Sequence, residues 1–385
     1  MTDLAVVDAV RTPIGKRNGA LSGIHPAELL GRAQRALIER TGIDPEEVGQ
    51  VVGGCVTQVG EQSYNITRTA WLGAGLPVGV AATTVDAQCG SSQQATAMAA
   101  GLVAAGAVDV AIGCGVESMS RVPLGSSQAA GFGEPMTSSF RDRFEVTTQF
   151  EGAERIAERW GIGRRDADEY GLLSQERAGR ASAAGSFEGQ IAAVEAPLSG
   201  GGGSATVTRD EGIRETTLDA LANLNAVVGE GGVHTAGTAS QISDGASAVL
   251  VTTTGRASQL GLRPRARIVD MCLVGSDPVL KLTGPIEATR TLLARNDFEL
   301  SDIDHFEVNE AFASVVLAWQ RELGTDMEKT NPDGGAIALG HPLGGTGGVL
   351  IAKALHSLER DDLNLALVTM CCGGGLGTGL VLERI

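Results

Sequence analysis

The sequence predicts an α/β fold made of two similar halves, with a more polar segment inserted between them. Predicted strands and helices alternate at both ends of the chain, as in folds whose helices cover a sheet. The middle, from about 121 to 232, carries charged helices and few buried strands. A short pattern near residue 89 recurs near residue 344, which indicates an internal repeat.

The first half begins with a predicted strand. Residues 4–10 form a nearly continuous apolar run, as expected for a strand that is buried on both faces. The helix after Cys89 consists almost wholly of small or straight-chain residues, so it can be packed on all sides near the middle of the molecule. The elements predicted after the first strand are a helix over Pro26–Thr41, a strand over Val51–Val56, helices over Ser63–Ala74 and Gln93–Ala105, and a strand over Val108–Gly113.

The inserted segment is predicted to contain charged helices and a glycine-rich connection. The helices cover Glu151–Trp160 and Asp166–Ala184. The tetraglycine Gly200–Gly203 is either an interdomain linker or the tip of a flexible loop or hairpin. Alternating elements then return over Ala246–Thr252, Ala266–Val274, Pro285–Ala294, Asp304–Val308, Ala311–Leu323, Gly347–Leu358 and Leu365–Met370.

The repeat relates a segment near the start of the chain to a segment near its end. Cys89-Gly-Ser-Ser, an apolar helix and the strand after Val110 are echoed by Gly344-Gly-Thr-Gly, an apolar helix and the strand after Leu365. Duplicated halves place equivalent helix starts next to one another at a central pseudo-dyad. This arrangement is expected to bring Cys89, His341 and Cys371 together.

Composition restricts the class of protein. The chain has 385 residues, a formal net charge of −16 and six cysteines. A strongly acidic chain is repelled on average by nucleic acid and acidic membranes, so neither is an expected partner. No metal-ligand spacing, leader or membrane-length apolar run is found, and the cysteines suit a reducing compartment. We therefore expect a cytoplasmic protein without a metal.

Cys89 and His341 are candidate reactive groups. Cys89 immediately precedes a predicted helix, whose first N–H groups and dipole are expected to favour a thiolate and lower the pKa of the thiol. The alternative is a small buried hydrophobic residue. His341 lies between Gly340 and Pro342 in a loop and belongs to no apolar face, although a structural histidine is equally compatible.

A second thiol site follows the last predicted strand. Cys371 and Cys372 precede three glycines, whose N–H groups suit an oxyanion, and spacing alone does not choose between the two thiols. A buried strand-end thiol is the alternative. Asn309 follows another apolar strand and is either a functional amide or a helix cap.

These motifs together resemble the thiolase family over essentially the whole chain. The six matches occur in the family's order: Val7-Asp-Ala-Val-Arg-Thr-Pro-Ile-Gly-Lys16, Gly115-Val-Glu-Ser-Met-Ser120, His234-Thr-Ala-Gly-Thr-Ala-Ser240, Asn309-Glu-Ala-Phe312, Gly334-Gly-Ala-Ile-Ala-Leu-Gly-His-Pro342 and Cys371-Cys-Gly-Gly-Gly375. The resemblance implies a five-layered αβαβα fold from two βαβαβαββ halves. It assigns 1–116, completed by about 243–262, to the N-terminal half, 117–242 to a loop domain that covers coenzyme A, and 263–385 to the C-terminal half.

The resemblance also implies a reaction and the residues that perform it. The reaction is reversible Claisen cleavage of a 3-oxoacyl-CoA, with coenzyme A as co-substrate and no permanently bound cofactor. Cys89 is the nucleophile, His341 activates it, and Cys371 rather than Cys372 is the acid and base, because the family's cysteine stands at that distance from the triple glycine. Asn309 and Gly373 serve the oxyanion sites. Ser240, Arg214 and Phe312 match positions near the pantetheine or nucleotide of coenzyme A, and a homodimer or homotetramer is implied.

Two departures from the family's pattern concern the substrate. The family commonly has Cys-Ser-Ser-Gly-Leu where this chain has Cys89-Gly-Ser-Ser-Gln93. Its short-chain biosynthetic members carry His-Met where this chain reads Thr147-Thr-Gln-Phe-Glu151. We therefore expect a degradative enzyme, acting in fatty-acid or steroid side-chain breakdown, on a substrate other than acetoacetyl-CoA.

Three alternatives remain. A biosynthetic acetoacetyl-CoA thiolase would share every catalytic position. A condensing enzyme of the ketosynthase type would share the halves and the nucleophile, but it resembles a Cys-His-His site, which Cys371 disfavours. A non-catalytic relative that binds acyl-CoA or lipid is the third, and the presence of all four catalytic positions argues against it.

Overall fold

A computed structural model describes residues 3–129, 131–198 and 202–385. The strands of the described chain are β1 Leu4–Arg11, β2 Gly15–Lys16, β3 Gln50–Gly54, β4 Ala81–Val85, β5 Val110–Ser118, β6 Val194–Pro197, β7 Ser204–Val207, β8 Ser243–Thr253, β9 Ala266–Gly275, β10 His305–Val308, β11 Leu365–Cys372 and β12 Leu376–Arg384. The helices are α1 Pro26–Thr41, α2 Ile66–Gly73, α3 Ser91–Ala104, α4 Ser138–Arg141, α5 Gln149–Arg159, α6 Arg164–Ala183, α7 Leu218–Ala222, α8 Thr254–Gln259, α9 Gly284–Asn296, α10 Ala313–Leu323, α11 Ala336–Leu339 and α12 Thr346–Arg360. Short 3₁₀ turns cover Pro45–Glu47, Gly60–Gln62, Leu300–Asp302 and Leu343–Gly345.

The main sheet contains the same strand pattern twice. Its order is β10-β11-β12-β9-β1-β8-β5-β3-β4. In one half β3 runs parallel to β5, and β8 and β1 follow antiparallel. In the other, β10 runs parallel to β11, and β12 and β9 follow antiparallel. The topology therefore agrees with the duplication that the repeat predicts.

The two halves touch edge to edge through a short pairing. β1 pairs with β9 only at Ala5 and Val6, which lie opposite Arg267 and Ala266. The counterpart of β4 in the second half is a single parallel bridge between Phe306 and Thr330. Because β8 lies between β1 and β5, the chain returns to the first half after the inserted segment.

Three apolar clusters separate the layers of the fold. One packs α1 and α2 on the first half of the sheet, and another packs α9 and α10 on the second half. The third lies between the halves and contains residues of α3, α12 and strands from both. Helix, sheet, central helices, sheet and helix give the expected αβαβα order.

The central helices meet at their first turns. Gly348 of α12 donates its backbone N–H to Ser92 Oγ of α3 at 3.1 Å. A Cβ built at Gly347 would overlap the backbone of Gln93, so glycine is needed for this close approach. The loops that precede both helices are therefore held side by side, as the pseudo-dyad predicts.

The inserted segment forms helices and a hairpin over one side of the two halves. α5 begins with a capping box in which the Thr148 hydroxyl accepts from the backbone of Glu151 and the Glu151 carboxylate accepts from that of Thr148. β6 and β7 pair antiparallel on either side of the glycine run, which favours the hairpin interpretation. Gly200 and Gly201 themselves lie outside the described residues.

Candidate active site

Cys89 lies in a tight turn between β4 and α3. The preceding residue, Gln88, has a φ of 54°, in the left-handed region that residues other than glycine rarely adopt. Gly90 is the N-cap of α3, and a Cβ there would lie 2.5 Å from Cys372 Sγ. The backbone N–H groups of Gly373 and of Cys89 itself act on the Cys89 thiol and favour its charged form, which lowers its pKa. The turn thus holds a buried sulfur against the triple-glycine loop of the other half.

The protonation state of Cys89 differs from the expectation based on its helix start. Burial raises the pKa of the Cys89 thiol to about 12, although the N–H groups of Gly373 and Cys89 act in the opposite direction. The expected lowered pKa is therefore wrong for the resting protein, because desolvation of the charged form outweighs the backbone dipoles. A neutral thiol at this position needs a base when it attacks.

Cys371 and Cys372 occupy opposite faces of the end of β11, as successive strand residues do. Cys372 packs in the central cluster together with Cys89. Cys371 packs instead with Phe312, Ala311 and Leu282. Burial raises the pKa of Cys371 well above its ordinary value, and a charge on neighbouring Cys89 raises it further. A thiol with a raised pKa is held protonated and suits proton donation.

His341 is fixed in position and tautomer by its neighbours. Its backbone N–H donates to Ser243 Oγ at 3.0 Å, and its Nδ1 lies 2.7 Å from Thr346 Oγ1. The Thr346 hydroxyl donates to Pro342 O at 3.0 Å, so it accepts the proton that Nδ1 carries. Nε2 therefore holds the lone pair. Burial lowers the pKa of His341 to about 4, so the imidazole is neutral and able to accept a proton near neutral pH.

Asn309 is a partner of His341 and not a helix cap. Its Nδ2 lies 3.4 Å from His341 Nε2, while the N-cap of α10 is Phe312. Its side chain is fully buried, and its Oδ1 has no hydrogen-bond partner among the described protein groups. This oxygen is free to accept from a bound molecule. The helix-cap alternative is thus excluded.

Two buried carboxyl groups that the sequence analysis missed hold the site loops. Glu117 accepts N–H groups from Val56, Thr57 and Gly344, each at 3.0 Å, and from Gln62 Nε2 at 2.7 Å. It thereby ties the loop after His341 to the first half of the molecule. The signal available in the sequence was an acidic residue inside an apolar strand, which is rarely buried without such partners.

Glu310 performs the same task beside Asn309. Its carboxyl accepts from Tyr170 OH at 2.9 Å, Ser174 Oγ at 2.6 Å and the Ile337 N–H at 3.1 Å. Burial raises the pKa of Glu310. These contacts connect α6 of the inserted segment with α11, which leads directly to His341.

Of the three residues predicted near coenzyme A, Arg214 and Ser240 belong to the inserted segment, and Phe312 packs against it. Phe312 is buried, with its ring centroid 5.3 Å from that of Phe150 and 5.2 Å from that of His234. The Ser240 N–H donates to Ala311 O at 2.9 Å. Ser240 and exposed Arg214 line one groove of about 510 Å³. Arg214 also lines an adjoining groove of about 880 Å³ with Arg180.

The arrangement has the parts of an acyl-transfer site. Two neighbouring buried thiols lie beside the backbone N–H groups of Cys89 and Gly373. A neutral imidazole with its lone pair at Nε2 lies on the loop before α12, whose first turn contacts that of α3. Within 3–129, 131–198 and 202–385, no cluster of histidine, cysteine and acidic residues is placed to hold a metal ion. None of the helices described there is long and apolar enough to cross a membrane.

Comparison with protein families and curated proteins gives matches along the whole chain. Residues 4–255 match the family described as "Thiolase, N-terminal domain", and residues 262–384 match "Thiolase, C-terminal domain". The steroid 3-ketoacyl-CoA thiolase FadA6 of Mycobacterium tuberculosis is 47% identical over 393 residues, which cover 100% of this chain and 95% of that protein. A β-ketoadipyl-CoA thiolase of Pseudomonas aeruginosa is 40% identical over 400 residues, covering 100% of this chain and 99% of that protein.

Solved structures show the same architecture. The acetyl-CoA acetyltransferase of Bacillus anthracis superposes with a TM-score of 0.92 at 33% identity, over 100% of this chain and 99% of that one. The human mitochondrial 3-ketoacyl-CoA thiolase superposes with a TM-score of 0.90 at 33% identity, with the same coverage. The expected five-layered fold is therefore confirmed along the chain.

Proposed function

The chain belongs to the thiolase family of acyltransferases, and we propose that it uses Cys89 and Cys371 to cleave a 3-oxoacyl-CoA with coenzyme A. The observation that supports the assignment of roles is the meeting of two buried thiols beside the Gly373 N–H. His341, on the loop that precedes α12, contacts Asn309, which follows β10. Cleavage of this kind needs a nucleophile, a base, an acid and a stabilised oxyanion.

The first half-reaction transfers an acyl group to the enzyme. Cys89 Sγ attacks the 3-oxo carbon while its proton moves to His341 Nε2. The Cα–Cβ bond then breaks, and its electron pair forms the enolate of acetyl-CoA. Cys371 gives its proton to the enolate carbon, so acetyl-CoA leaves and an acyl-Cys89 thioester remains.

The second half-reaction returns every group to its starting state. The Cys371 thiolate takes the proton of an incoming coenzyme A thiol, whose sulfur attacks the acyl carbon. The bond between that carbon and Cys89 Sγ breaks, and Cys89 recovers its proton from His341. The N–H groups of Cys89 and Gly373 would stabilise one oxyanion, and His341 with a water held by Asn309 would stabilise the thioester oxygen.

The grooves beneath the inserted segment suit coenzyme A. We assign the pantetheine to the groove that Ser240 and Arg214 share, because it adjoins the Ala311–Phe312 backbone next to the site. Arg214 and Arg180 of the larger groove would face the phosphates, since guanidinium groups bind phosphate well. The two grooves would form a path that lets a large co-substrate reach a buried thiol, with the phosphates at the outer end and the pantetheine at the inner end.

The substrate is proposed to be a degradative 3-oxoacyl-CoA other than acetoacetyl-CoA. The stretch Thr147-Thr-Gln-Phe-Glu151 lacks the His-Met of short-chain biosynthetic members, and Gln149 Nε2 lies 3.4 Å from the Cβ position of Gly373. The relatives with the names of a steroid and a β-ketoadipyl-CoA thiolase support a degradative role. A biosynthetic acetoacetyl-CoA thiolase remains the second candidate, since it requires the same catalytic groups.

We also propose a cytoplasmic homo-oligomer. β4 is the outermost strand of the first half, and its outer edge is unpaired within the described chain. Exposed strand edges pair readily with a second chain, so this edge is our proposed dimer contact. Light scattering of the purified protein would distinguish a dimer or tetramer from a monomer, and the last would refute this part.

Trapping of the acyl-enzyme tests the assigned roles. Incubation of the Cys371→Ala variant with acetyl-CoA should leave an acetyl group on the Cys89 peptide, detectable by mass spectrometry. Cys89→Ser should lose coenzyme A-dependent consumption of 3-oxoacyl-CoA, whereas Cys272→Ser, at a thiol of β9 outside the site, should keep it. Acyl label on Cys371 in the unmodified enzyme would reverse the two roles, and activity retained by Cys89→Ser would reject the mechanism.

A further inference from the structure

The loop between β9 and α9, residues 276–283, contacts the triple-glycine turn of the site. The Ser276 N–H donates to Gly375 O at 2.7 Å. A Cβ built at Gly375 would lie 2.8 Å from Ser276 O. From the other side, Thr147 Oγ1 donates to Val279 O at 2.7 Å, just ahead of α5. The loop is thus clamped between the oxyanion turn and the start of α5.

Lys281 lies at the centre of this loop in an uncommon backbone conformation. Its φ is 61°, in the left-handed region, where a residue with a side chain is strained. Leu280 and Leu282 on either side pack against the cluster that contains Cys371 and Phe312. The Lys281 Cβ lies 3.7 Å from the Cβ position of Gly152 on the first turns of α5. The strained backbone therefore places Lys281 between α5 and the apolar cluster that contains Cys371 and Phe312.

Lys281 is half-buried, and its ammonium forms no ion pair with any described residue. The acidic group that acts on it electrostatically is Glu151, but that carboxylate accepts from the Thr148 N–H at 2.6 Å in the α5 capping box. Burial lowers the pKa of Lys281. Partial desolvation of a cation costs stability unless an anion compensates it, so an unpaired lysine beside an active site indicates a ligand with negative charge.

We propose that Lys281 pairs with a carboxylate at the far end of the acyl chain, so that this enzyme prefers 3-oxoacyl-CoA thioesters of dicarboxylic acids. The proposal rests on the thiolase function proposed above and specifies its substrate class. A phosphate of coenzyme A is a weaker candidate, because the two arginines of the nucleotide grooves lie on the side lined by α6 and α7, and Lys281 lines neither groove. The neutral amides of Gln149 and Gln88, both next to Gly373, suit a polar acyl chain.

Two substrates of equal length test the proposal in the complete enzyme. 3-Oxoadipyl-CoA and 3-oxohexanoyl-CoA have six-carbon acyl chains and differ in whether the far end is a carboxylate or a methyl group. Replacement Lys281→Met keeps an unbranched side chain and removes the charge, and Lys281→Arg keeps the charge. Lys16→Met, at an exposed lysine on β2, is the matched control for loss of a lysine.

We expect Lys281→Met to lower kcat/KM for 3-oxoadipyl-CoA about 10- to 100-fold, the usual effect of a lost charge-assisted contact, with most of the change in KM. Activity on 3-oxohexanoyl-CoA should stay within a few-fold of the unmodified enzyme, and Lys281→Arg should recover most of the loss. An equal loss on both substrates would make Lys281 merely structural and would overturn the proposal while leaving the thiolase function intact. No turnover of either substrate, or of other 3-oxoacyl-CoA thioesters, by the unmodified enzyme would instead reject the proposed function.

Discussion

Replacement of Gly90 by alanine tests the packing beneath the nucleophile. Gly90 has φ −81° and ψ 5°, which alanine adopts without strain, so the effect is steric. The added Cβ would lie 2.5 Å from Cys372 Sγ and 2.7 Å from Thr378 Cγ2, closer than such atoms approach in folded proteins. Both neighbours are buried core residues. Overpacking of this kind typically costs about 1–3 kcal/mol, and we expect the upper part of that range because two rigid contacts are involved.

Urea unfolding measures this cost against an internal control. Gly101→Ala, in the same helix α3, meets no atom within 4 Å and should stabilise the protein by about 0.5–1 kcal/mol through helix propensity. A second substitution, Cys372→Ala, removes the nearer contact. The double variant should therefore be more stable than the sum of the single effects predicts, with a coupling of about 0.5–3 kcal/mol.

The activity of the Gly90→Ala variant gives a second readout. Because the overlap displaces the turn that carries Cys89, kcat should fall even in dilute enzyme that remains folded. If Gly90→Ala and Gly101→Ala change stability alike, or if Cys372→Ala gives no coupling, the Cys372 thiol does not fill the space over Gly90 and the reasoning fails.

The remaining predictions concern ionisation and the loop supports. The plot of kcat/KM against pH should stay level down to about pH 5 and fall with an apparent pKa near 4, because protonation of His341 removes the base. A fall in kcat/KM at the ordinary histidine pKa near 6.5 would contradict the buried neutral imidazole. The same lowered pKa favours neutral His341 in the folded state, so its contribution to stability should be lost as the pH falls from about 6.5 towards 4, and His341→Asn should reduce this dependence in urea titrations. Glu117→Gln should destabilise the protein by about 1–3 kcal/mol, because all four partners of the carboxylate are N–H donors and the amide NH2 of glutamine would face one of them. An unchanged free energy of unfolding would show that Glu117 does not hold the Gly344 loop.

Local patterns in the sequence predicted most of the fold because most elements carry a clear period. The helix over Pro26–Thr41 was predicted at its observed bounds, with a proline at its start and Gly42 after it. Strand β12 was missed because Gly377 and Gly379 interrupt its apolar run. Both glycines are required by contacts distant in sequence: a Cβ at Gly379 would lie 2.7 Å from Leu292 Cδ1 of α9, and one at Gly377 would overlap the Gly284 backbone. Such packing is visible only in the folded structure.

The site shows the same division between local and long-range information. The spacing of the motifs predicted which helix starts would meet, and Ser92 and Gly348 now account for that meeting. The protonation of Cys89 was predicted with the wrong sign, because the helix dipole is a local property whereas burial depends on the whole fold. The local pattern alone left the role of Asn309 open, because only tertiary contact with His341 distinguishes it from a cap.

The electrostatics of the two thiols favour Cys89 as the proposed nucleophile and Cys371 as the proposed acid and base. A charge on Cys89 raises the pKa of Cys371, so both are not expected to ionise together. The N–H groups of Gly373 and Cys89 favour a charge on the Cys89 sulfur, whereas only the N–H of its own residue does so for Cys371. Once Cys89 carries an acyl group it has no charge, and the repulsion that opposes a Cys371 thiolate disappears at the stage when Cys371 has given its proton to the enolate. The thiolate that remains is strongly basic, since the pKa of Cys371 is raised by burial, and it can therefore take the proton of coenzyme A. In the reverse assignment, Cys371 would have to attack without the Gly373 N–H that favours a charge on the Cys89 sulfur.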